Sequence, residues 1–287
     1  MKAPKVLVDG RGLLESPRWH DGRLYFSDWS AGEVLAVAPD GPDGGADGRV
    51  EVVARVASLP LCTAWLPDGR MVLVSSREGR LLTLQPDGSL AVHAELGRPG
   101  WNDIVADGRG NVYVNGAGFD PTAGEEFRPG SVWHVAADGS VRQVAEDIAF
   151  PNGMAVTADG ATLVVADSYR HQLVGFDLGA DGGLSGRRVW ADVDDGVPDG
   201  ICADAEGAVW YADVPGRRCV RVAEGGEVLD LVALDRGGFA CVLGGPDRAT
   251  LYITAAEWRG MTDPQLVAPG SGRVLAVEVE VPGAGWP

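Results

Sequence analysis

The most regular feature of this chain is a pattern of apolar and polar residues that recurs six times along its 287 residues. In each copy a charged residue, usually an acidic one followed by Gly, precedes two strand-like segments in which apolar and polar residues alternate, with a turn between them. Sustained helical periodicity is absent. At intervals of 41 to 50 residues, the copies begin at Asp21, Asp68, Arg109, Asp159, Glu206 and Asp247.

A repeat of this length, with several short strands in each copy, predicts an all-β fold, a six-bladed β-propeller. No linker interrupts the repeat, so we expect a single domain over residues 1–287. The N-terminal segment KVLVDG, from Lys5, has no local partner. We predict that it joins the last blade as its outer strand and closes the ring, which removes exposed sheet edges. The stretch GPDGGADG at 41–48 is expected to be a loop between strands.

The repeat also predicts which side chains meet, because the inner strand of every propeller blade begins at the same mouth of the central channel. Blades two and six offer side chains that are not expected ligands at this position, Leu61–Cys62 and Ala240–Cys241. The equivalent positions of blades one, three, four and five carry Glu15, Asn102, Asn152 and Asp199. Four oxygen-bearing side chains are therefore predicted to converge on one mouth.

Two carboxylates and two carboxamides in one cavity would repel each other or lack partners unless something binds between them. Carboxylate and amide oxygens are the ligands that calcium and magnesium prefer, whereas the His and Cys set of structural zinc is missing. Each residue by itself is explained as well by a turn, since Asn-Gly and Asp-Gly are turn dipeptides. The prediction of a metal or substrate site depends on the four positions being equivalent.

The charge and the apolar segments exclude several classes of partner. The formal net charge is −17, from 24 basic and 41 acidic residues, which argues against binding to nucleic acid. No run of about 18 apolar residues predicts a membrane span, and the N-terminus lacks the apolar core of a signal peptide. We therefore expect a cytoplasmic protein. Without C-x-x-C spacing, reduced thiols are predicted at Cys62, Cys202, Cys219 and Cys241.

Several stretches around these positions resemble one known family over essentially the whole chain. They are ESPRW at Glu15, ND at Asn102, FPNGMAV around Asn152, PDG at Asp199 and FACVLGGPDRATLYIT from Phe239. In these stretches the chain resembles the family of senescence marker protein (regucalcin) and gluconolactonase. The resemblance implies a six-bladed propeller with one divalent metal held by Glu15, Asn152 and Asp199. It implies calcium first, with zinc, magnesium and manganese as alternatives, and contact of Asn102 with substrate or metal-bound water.

The family resemblance also implies an activity, the hydrolysis of lactones and, in some members, of phosphotriesters. We expect a small-molecule substrate, with the metal polarising the lactone carbonyl and Asp199 activating water as the catalytic base. Sugar-acid lactonases of this family often carry an Arg two residues before the ND pair. Gly100 stands at that position and Arg98 is offset by two. Trp101 is therefore predicted to offer a flat apolar surface to a substrate ring, with packing between blades as the alternative.

A long insertion in blade three, GFDPTAGEEFRPG at 118–130, is expected over the channel mouth. We predict that Glu126 contacts substrate, with a solvated loop as the alternative. No G-x-S-x-G elbow or G-x-G-x-x-G turn is present, and the four histidines occupy dissimilar positions. Three alternatives to a lactonase stay open: a phosphotriesterase or arylesterase on the same metal, a metal-assisted isomerase or dehydratase, and a non-catalytic calcium-binding or protein-docking propeller.

Overall fold

A computed structural model describes residues 3–39 and 50–285. Within those residues, twenty-four β-strands form six antiparallel sheets of four strands each. Each sheet is one blade, and the strands are numbered in chain order. The predicted all-β, six-bladed β-propeller is confirmed. The predicted loop at 41–48 lies outside the described residues.

The first three blades follow the chain in order. Blade one contains β2 (Leu14–His20), β3 (Arg23–Asp28), β4 (Glu33–Val37) and β5 (Glu51–Arg55). Blade two contains β6 (Leu61–Trp65), β7 (Met71–Ser75), β8 (Arg80–Leu84) and β9 (Leu90–Glu95). Blade three contains β10 (Ile104–Ala106), β11 (Val112–Gly116), β12 (Gly130–Val135) and β13 (Val141–Ile148).

The other three blades complete the ring. Blade four contains β14 (Pro151–Val156), β15 (Thr162–Asp167), β16 (Gln172–Leu178) and β17 (Leu184–Asp192), with a 3₁₀ turn at Ser168–Arg170 after β15. Blade five contains β18 (Pro198–Ala203), β19 (Val209–Asp213), β20 (Arg218–Val222) and β21 (Val228–Ala233). Blade six contains β22 (Gly237–Gly244), β23 (Thr250–Ala256), β24 (Gly272–Glu278) and β1 (Lys5–Arg11).

The ring closes as the unpaired N-terminal segment predicts. β1 pairs with β24 in antiparallel register, with Lys5 opposite Ala276 and Val8 opposite Val274. The first strand of every blade, from β2 through β22, contacts the first strands of both neighbouring blades. These six first strands therefore surround the axis, and β1 supplies the fourth strand that blade six would otherwise lack.

Burial decreases from the axis outward. The inner and second strands are buried along almost their whole length, whereas the fourth strands expose many residues. Neighbouring blades cover both faces of these inner strands, so their polar residues are buried too and must find partners. For example, the buried carboxylate of Asp167 accepts the backbone N–H groups of Ala149 and Phe150, at 3.0 and 2.9 Å. This Asp thereby holds the chain where it enters β14.

Two further observations concern the predictions about membranes and cysteines. Over residues 3–39 and 50–285, no helix is long and apolar enough to cross a membrane. All four cysteines are buried free thiols, and the Sγ atoms of Cys202 and Cys241 lie 3.9 Å apart.

Candidate metal centre and its surroundings

The four predicted oxygen-bearing side chains come together at the axis. Glu15, Asn102 and Asn152 line one pocket, and Gly200, the residue after Asp199, lines it as well. The Asp199 carboxylate is hydrogen-bonded by the side chain of Asn152, which places it in the same cluster. The thiols at the equivalent positions of blades two and six, Cys62 and Cys241, also line this pocket. The enclosed space is about as large as one water molecule or one ion.

Irregular backbone at the start of the inner strands directs these side chains. The strand register shifts between Glu15 and Arg18 in β2, between Pro151 and Met154 in β14, and between Pro198 and Ile201 in β18. A bulge of this kind changes the direction of a side chain and is common beside functional sites. The site residues Glu15, Asn152 and Asp199 occupy the second position of their strands, at or just inside these bulges.

The glycines after Asn152 and Asp199 serve close packing and not turns. A Cβ atom on Gly153 would lie 2.6 Å from the backbone oxygen of Asp199, and one on Gly200 would lie 2.2 Å from the Cβ of Ala240. Both glycines lie inside strands. The inner strands of blades four, five and six can therefore approach each other only because these positions lack a side chain, which corrects the explanation of these dipeptides as turns.

A hydrogen-bond network orients the amide side chains. The Nδ2 of Asn102 donates to the Oδ1 of Asn152 at 3.1 Å, and the Nδ2 of Asn115 donates to the backbone oxygen of Asn152. The Nδ2 of Asn152 donates to the Oγ of Ser168 at 3.4 Å. That hydroxyl donates in turn to the backbone oxygen of Pro198 at 2.7 Å. Asn152 is thus tied to blade three on one side and to blade five on the other.

Of the two carboxylates of the predicted ligand set, Glu15 is buried and Asp199 is half-buried, and the two charges repel each other. Burial raises the pKa of Glu15 well above its ordinary value, and the charge of Asp199 raises this pKa further, although a hydrogen bond from the N–H of Ser16 at 3.1 Å opposes both. Burial likewise raises the pKa of Asp199 well above its ordinary value, the charge of Asp103 adds to this, and the hydrogen bond from Asn152 opposes it. A bound cation would relieve this repulsion.

A third carboxylate, that of the buried Asp103, has its own counter-charge. Its Oδ1 accepts from the guanidinium of Arg18 at 3.1 Å, and its Oδ2 accepts from the N–H of Met154 at 3.0 Å. Burial raises the pKa of Asp103 and the positive charge of Arg18 opposes the rise. Arg18 also lowers the pKa of Glu15, but less than burial and Asp199 raise it. The Arg18–Asp103 pair is therefore compensated internally, whereas Glu15 and Asp199 have no ion pair within the described residues.

The donor set suits a hard dication. Two carboxylates carry two negative charges that match one divalent cation, and amide oxygens complete such a site. In the part of the chain that the structure describes, no group of three or more His, Cys, Asp or Glu side chains has the arrangement of a metal site. A site at this pocket would depend on the amide oxygen of Asn152 together with Glu15 and Asp199. This chemistry is that of calcium or magnesium and not that of a His/Cys zinc site.

Two of the predicted substrate-binding residues do not line the pocket. Trp101 is fully buried, with its ring 4.2 Å from the Cζ of Arg98 and edge-on to Trp133 at 5.8 Å. It packs with buried residues of blades two and three, which is the alternative that the sequence left open. Glu126 lies exposed on the insertion at 118–130. The insertion itself lies beside the site, because Phe119 contacts Phe150 with 6.2 Å between ring centroids.

Four residues shape the site although the sequence did not predict their roles. Arg18 and Asp103 lie inside the ESPRW and ND stretches. Their closeness in sequence to Glu15 and Asn102 was the only sign in the sequence that they belong to the site. Asn115 lies in β11, outside any motif noted in the sequence, and its side chain donates a hydrogen bond to the backbone of Asn152. Ser168 follows β15 and reaches the same residue from the 3₁₀ turn. Only the pairing of second strands with inner strands places these last two beside the pocket.

Comparison with known proteins places this geometry in a family. The sequence model of the SMP-30/Gluconolactonase/LRE-like region matches residues 13–257. A 6-deoxy-6-sulfogluconolactonase of Pseudomonas putida is 33% identical over 291 aligned residues, which cover 96% of this chain and 94% of the relative. A regucalcin of Xenopus laevis is 29% identical (89% and 87% covered). A pentonolactonase of Haloferax volcanii is 26% identical (91% and 87% covered).

Solved structures share the fold over the whole chain. A calcium-binding protein, regucalcin, from Agrobacterium tumefaciens superposes with a TM-score of 0.80 at 24% identity, covering 99% of this chain and 96% of the other. A luciferin-regenerating enzyme also superposes with a TM-score of 0.80 at 24% identity, with 98% and 97% covered. The resemblance noted in the sequence is confirmed: the chain belongs to the SMP-30/gluconolactonase/LRE-like family.

Proposed function

We propose that this protein is a divalent-metal-dependent hydrolase that opens the ring of a lactone. The observation that carries the proposal is a pair of carboxylates at the axis, those of the buried Glu15 and the half-buried Asp199, which have no ion-pair partner among the described residues. Two of the relatives, those of Pseudomonas putida and Haloferax volcanii, are named as lactonases. A small cyclic ester is therefore the substrate class that the family favours.

The metal would be held by Glu15, Asn152 and Asp199, with calcium as the first candidate and zinc, magnesium and manganese as alternatives. When bound, it would polarise the lactone carbonyl and stabilise the oxyanion that forms on it. The charge balance supports a dication here, because the third carboxylate of the site, that of Asp103, is already paired with Arg18.

The protein's own groups would orient the substrate and transfer the proton. A general base must lie within hydrogen-bond reach of the proton that it accepts, and Asp199, as a ligand of the metal, would lie beside a water that reacts there. We infer that Asp199 accepts the proton of the attacking water. Asn102 uses its Nδ2 to hold Asn152, so its carbonyl oxygen can accept a hydrogen bond from the water or from a substrate hydroxyl.

A hydrolysis assay with a pH indicator tests the proposal. We expect the purified protein to hydrolyse at least one of a panel of sugar, aliphatic and aromatic lactones in the presence of calcium, magnesium, manganese or zinc, and to lose this activity in excess chelator. Asp199→Asn should lower kcat about 10²- to 10⁴-fold, because the general base is lost. The matched control is Asp138→Asn at an exposed blade turn, which should keep full activity.

Two outcomes would contradict the proposal in different ways. Full activity in excess chelator would show hydrolysis without the metal. Calcium binding without hydrolysis of any lactone would favour the alternative of a non-catalytic calcium-binding propeller, which relatives named regucalcin keep open. Aryl esters and phosphotriesters belong in the same panel, since a phosphotriesterase or arylesterase would use the same three ligands.

A further inference from the structure

Four aromatic side chains form a cluster beside the pocket, which we call the aromatic shelf: Phe119, Phe127, Phe150 and Tyr169. The rings of Phe150 and Tyr169 stack with centroids 4.6 Å apart and planes 18° from parallel. Phe127 lies nearly parallel to Tyr169, at 6.4 Å and 24°. Phe119 packs edge-on against Phe127 at 5.4 Å and so supports the stack from the insertion.

The aromatic shelf is joined directly to the site residues. Phe150 comes two residues before Asn152, and its backbone oxygen accepts the N–H of Ser168 at 3.1 Å. Tyr169 follows Ser168, the residue whose hydroxyl contacts both Asn152 and the backbone oxygen of Pro198. The rings of Phe150 and Tyr169 therefore belong to the same two segments that hold Asn152, which places the shelf next to the site residues.

Exposure distinguishes two rings of the shelf from the other apolar residues at the surface. Phe127 is 51% exposed and Tyr169 is 47% exposed. The other exposed large apolar side chains among the described residues are aliphatic, and most lie on fourth strands at the rim of the propeller: Val6, Leu59, Val92, Val189, Val228 and Leu229. An exposed aromatic pair at a pocket marks a surface that can bind a flat apolar group.

Ring contacts hold the two exposed rings, Phe127 on Phe119 and Tyr169 on Phe150, and ion pairs flank them on either side. Arg170, next to Tyr169, pairs with Asp147 at 2.8 Å and with the buried Asp167 at 3.5 Å. On the insertion, Glu125 and Arg128 flank Phe127 and pair with each other at 3.3 Å. Rings that are already ordered lose less entropy when a ligand binds to them. Burial also raises the pKa of Tyr169, so the phenol stays neutral at pH 7.

We propose that the aromatic shelf binds a flat aromatic substituent of the lactone, so that the preferred substrates carry an aryl group on the ring. This inference rests on the proposed lactonase function and adds the class of substrate. The pocket supplies oxygen donors for the polar reacting end, and Phe127 with Tyr169 supplies stacking surface for the apolar end. Gly100 bears no side chain, and the guanidinium of Arg98 lies over Trp101 at 4.2 Å, an arrangement that does not favour a strongly polar substrate.

The test compares two lactones with the same leaving group: δ-valerolactone and a δ-lactone with a phenyl group on a ring carbon away from the ester oxygen. The readout is the ratio of kcat/KM for the phenyl lactone to kcat/KM for δ-valerolactone. We expect Phe127→Ala and Tyr169→Ala each to lower this ratio about tenfold, since each removes a stacking ring. Tyr169→Phe keeps the ring and should keep the ratio. Val189→Ala, an exposed apolar change on β17, should leave it unchanged.

A binding measurement separates failure of this inference from failure of the proposed function. The probe is the corresponding phenyl-substituted δ-lactam, which resists hydrolysis, studied by isothermal titration calorimetry with wild-type protein and with Phe127→Ala. Binding that is about tenfold weaker in the variant supports the aromatic shelf even if no lactone is hydrolysed. Lactone hydrolysis with an equal ratio in wild type and Phe127→Ala, and equal lactam binding, would overturn the shelf and leave the lactonase standing. Absence of lactam binding to the wild type would overturn the shelf as well.

Discussion

At the scale of single residues, the chemistry of the pocket depends on which carboxylates are neutralised by the protein itself. Arg18 pairs with Asp103 and leaves the buried Glu15 and the half-buried Asp199 to repel each other at the axis. Burying charge without a partner is costly, so these two side chains lower the stability of the metal-free protein. The same repulsion becomes an attraction once a dication binds between them. Under the proposed function, metal binding and the lower stability of the metal-free protein would therefore have one source.

Replacement of Glu15 tests whether this carboxylate both destabilises the metal-free protein and binds the metal. Because burial and Asp199 raise the pKa of Glu15, the folded state holds this proton more tightly than the unfolded state, and the free energy of unfolding falls as pH rises above the ordinary carboxyl pKa. At pH 7 in chelator, Glu15→Gln should therefore be more stable than the wild type in urea denaturation. With calcium at 100 times its Kd, the wild type should gain about 2.7 kcal/mol and the variant much less.

The control for that measurement is Glu227→Gln, which removes an equal charge from the exposed turn before β21. This variant should match the wild type in chelator and in calcium. If Glu15→Gln gained as much stability from calcium as the wild type does, calcium would bind elsewhere, and Glu15 would not be a ligand.

Equivalent positions in a repeat were enough to predict that Asn152 and Asp199 meet, because the propeller places the same position of each blade at the axis. The repeat did not predict where the side chain of the preceding residue, Trp101, would lie. Trp101 precedes Asn102, and consecutive residues of an extended chain point to opposite sides, so the Trp ring packs between blades. The Arg18–Asp103 pair joins residues 85 positions apart, and no spacing within one blade indicates it.

At the scale of elements, the strand order of each blade followed from the repeat, but the burial of the strands did not. Alternation of apolar and polar residues predicts strands with one solvent-exposed face. In contrast, β7 and β19 are buried along their whole length because neighbouring blades cover both sides. The closing strand β1 was predictable for a different reason, since a strand without a local partner needs an edge. Over the described residues, its pairing with β24 is the one strand pairing that joins the N-terminal and C-terminal parts of the chain within a sheet.

Two valines on β1 test whether this closing strand contributes to stability. Val8 is 6% exposed and packs in the cluster that contains Val274, whereas Val6, two residues earlier, is 38% exposed. Val8→Ala should lower the free energy of unfolding by about 1–2 kcal/mol, the amount expected for two buried methyl groups. Val6→Ala makes the same change in strand propensity and should cost less than about 0.5 kcal/mol. Equal effects in urea denaturation would mean that β1 is not packed on blade six in solution.

At the scale of the whole molecule, the main electrostatic feature is the excess of acidic over basic residues. The formal net charge is −17, while most arginines of the described surface already pair with a neighbouring carboxylate, as Arg80 does with Glu95 and Arg188 with Asp177. Exposed pairs of this kind contribute little to stability. The unpaired excess of acidic residues is therefore the dominant surface term, and it acts against the compact state by self-repulsion.

Monovalent salt should consequently stabilise the metal-free protein. Raising potassium chloride from 10 to 150 mM in chelator at pH 7 shortens the Debye length to about 8 Å, and we expect the unfolding midpoint to rise by about 2–4 °C.

A triple variant, with Asp87, Asp138 and Asp159 each changed to Asn, would reduce the net charge from −17 to −14. Each of these exposed carboxylates accepts a backbone N–H two residues later, at 3.0, 2.9 and 3.0 Å, which Asn can still accept. The variant should show a smaller rise with salt, because less repulsion is left to screen. A midpoint that falls with salt in the wild type would mean that the surface ion pairs, and not the acidic excess, control its electrostatic stability.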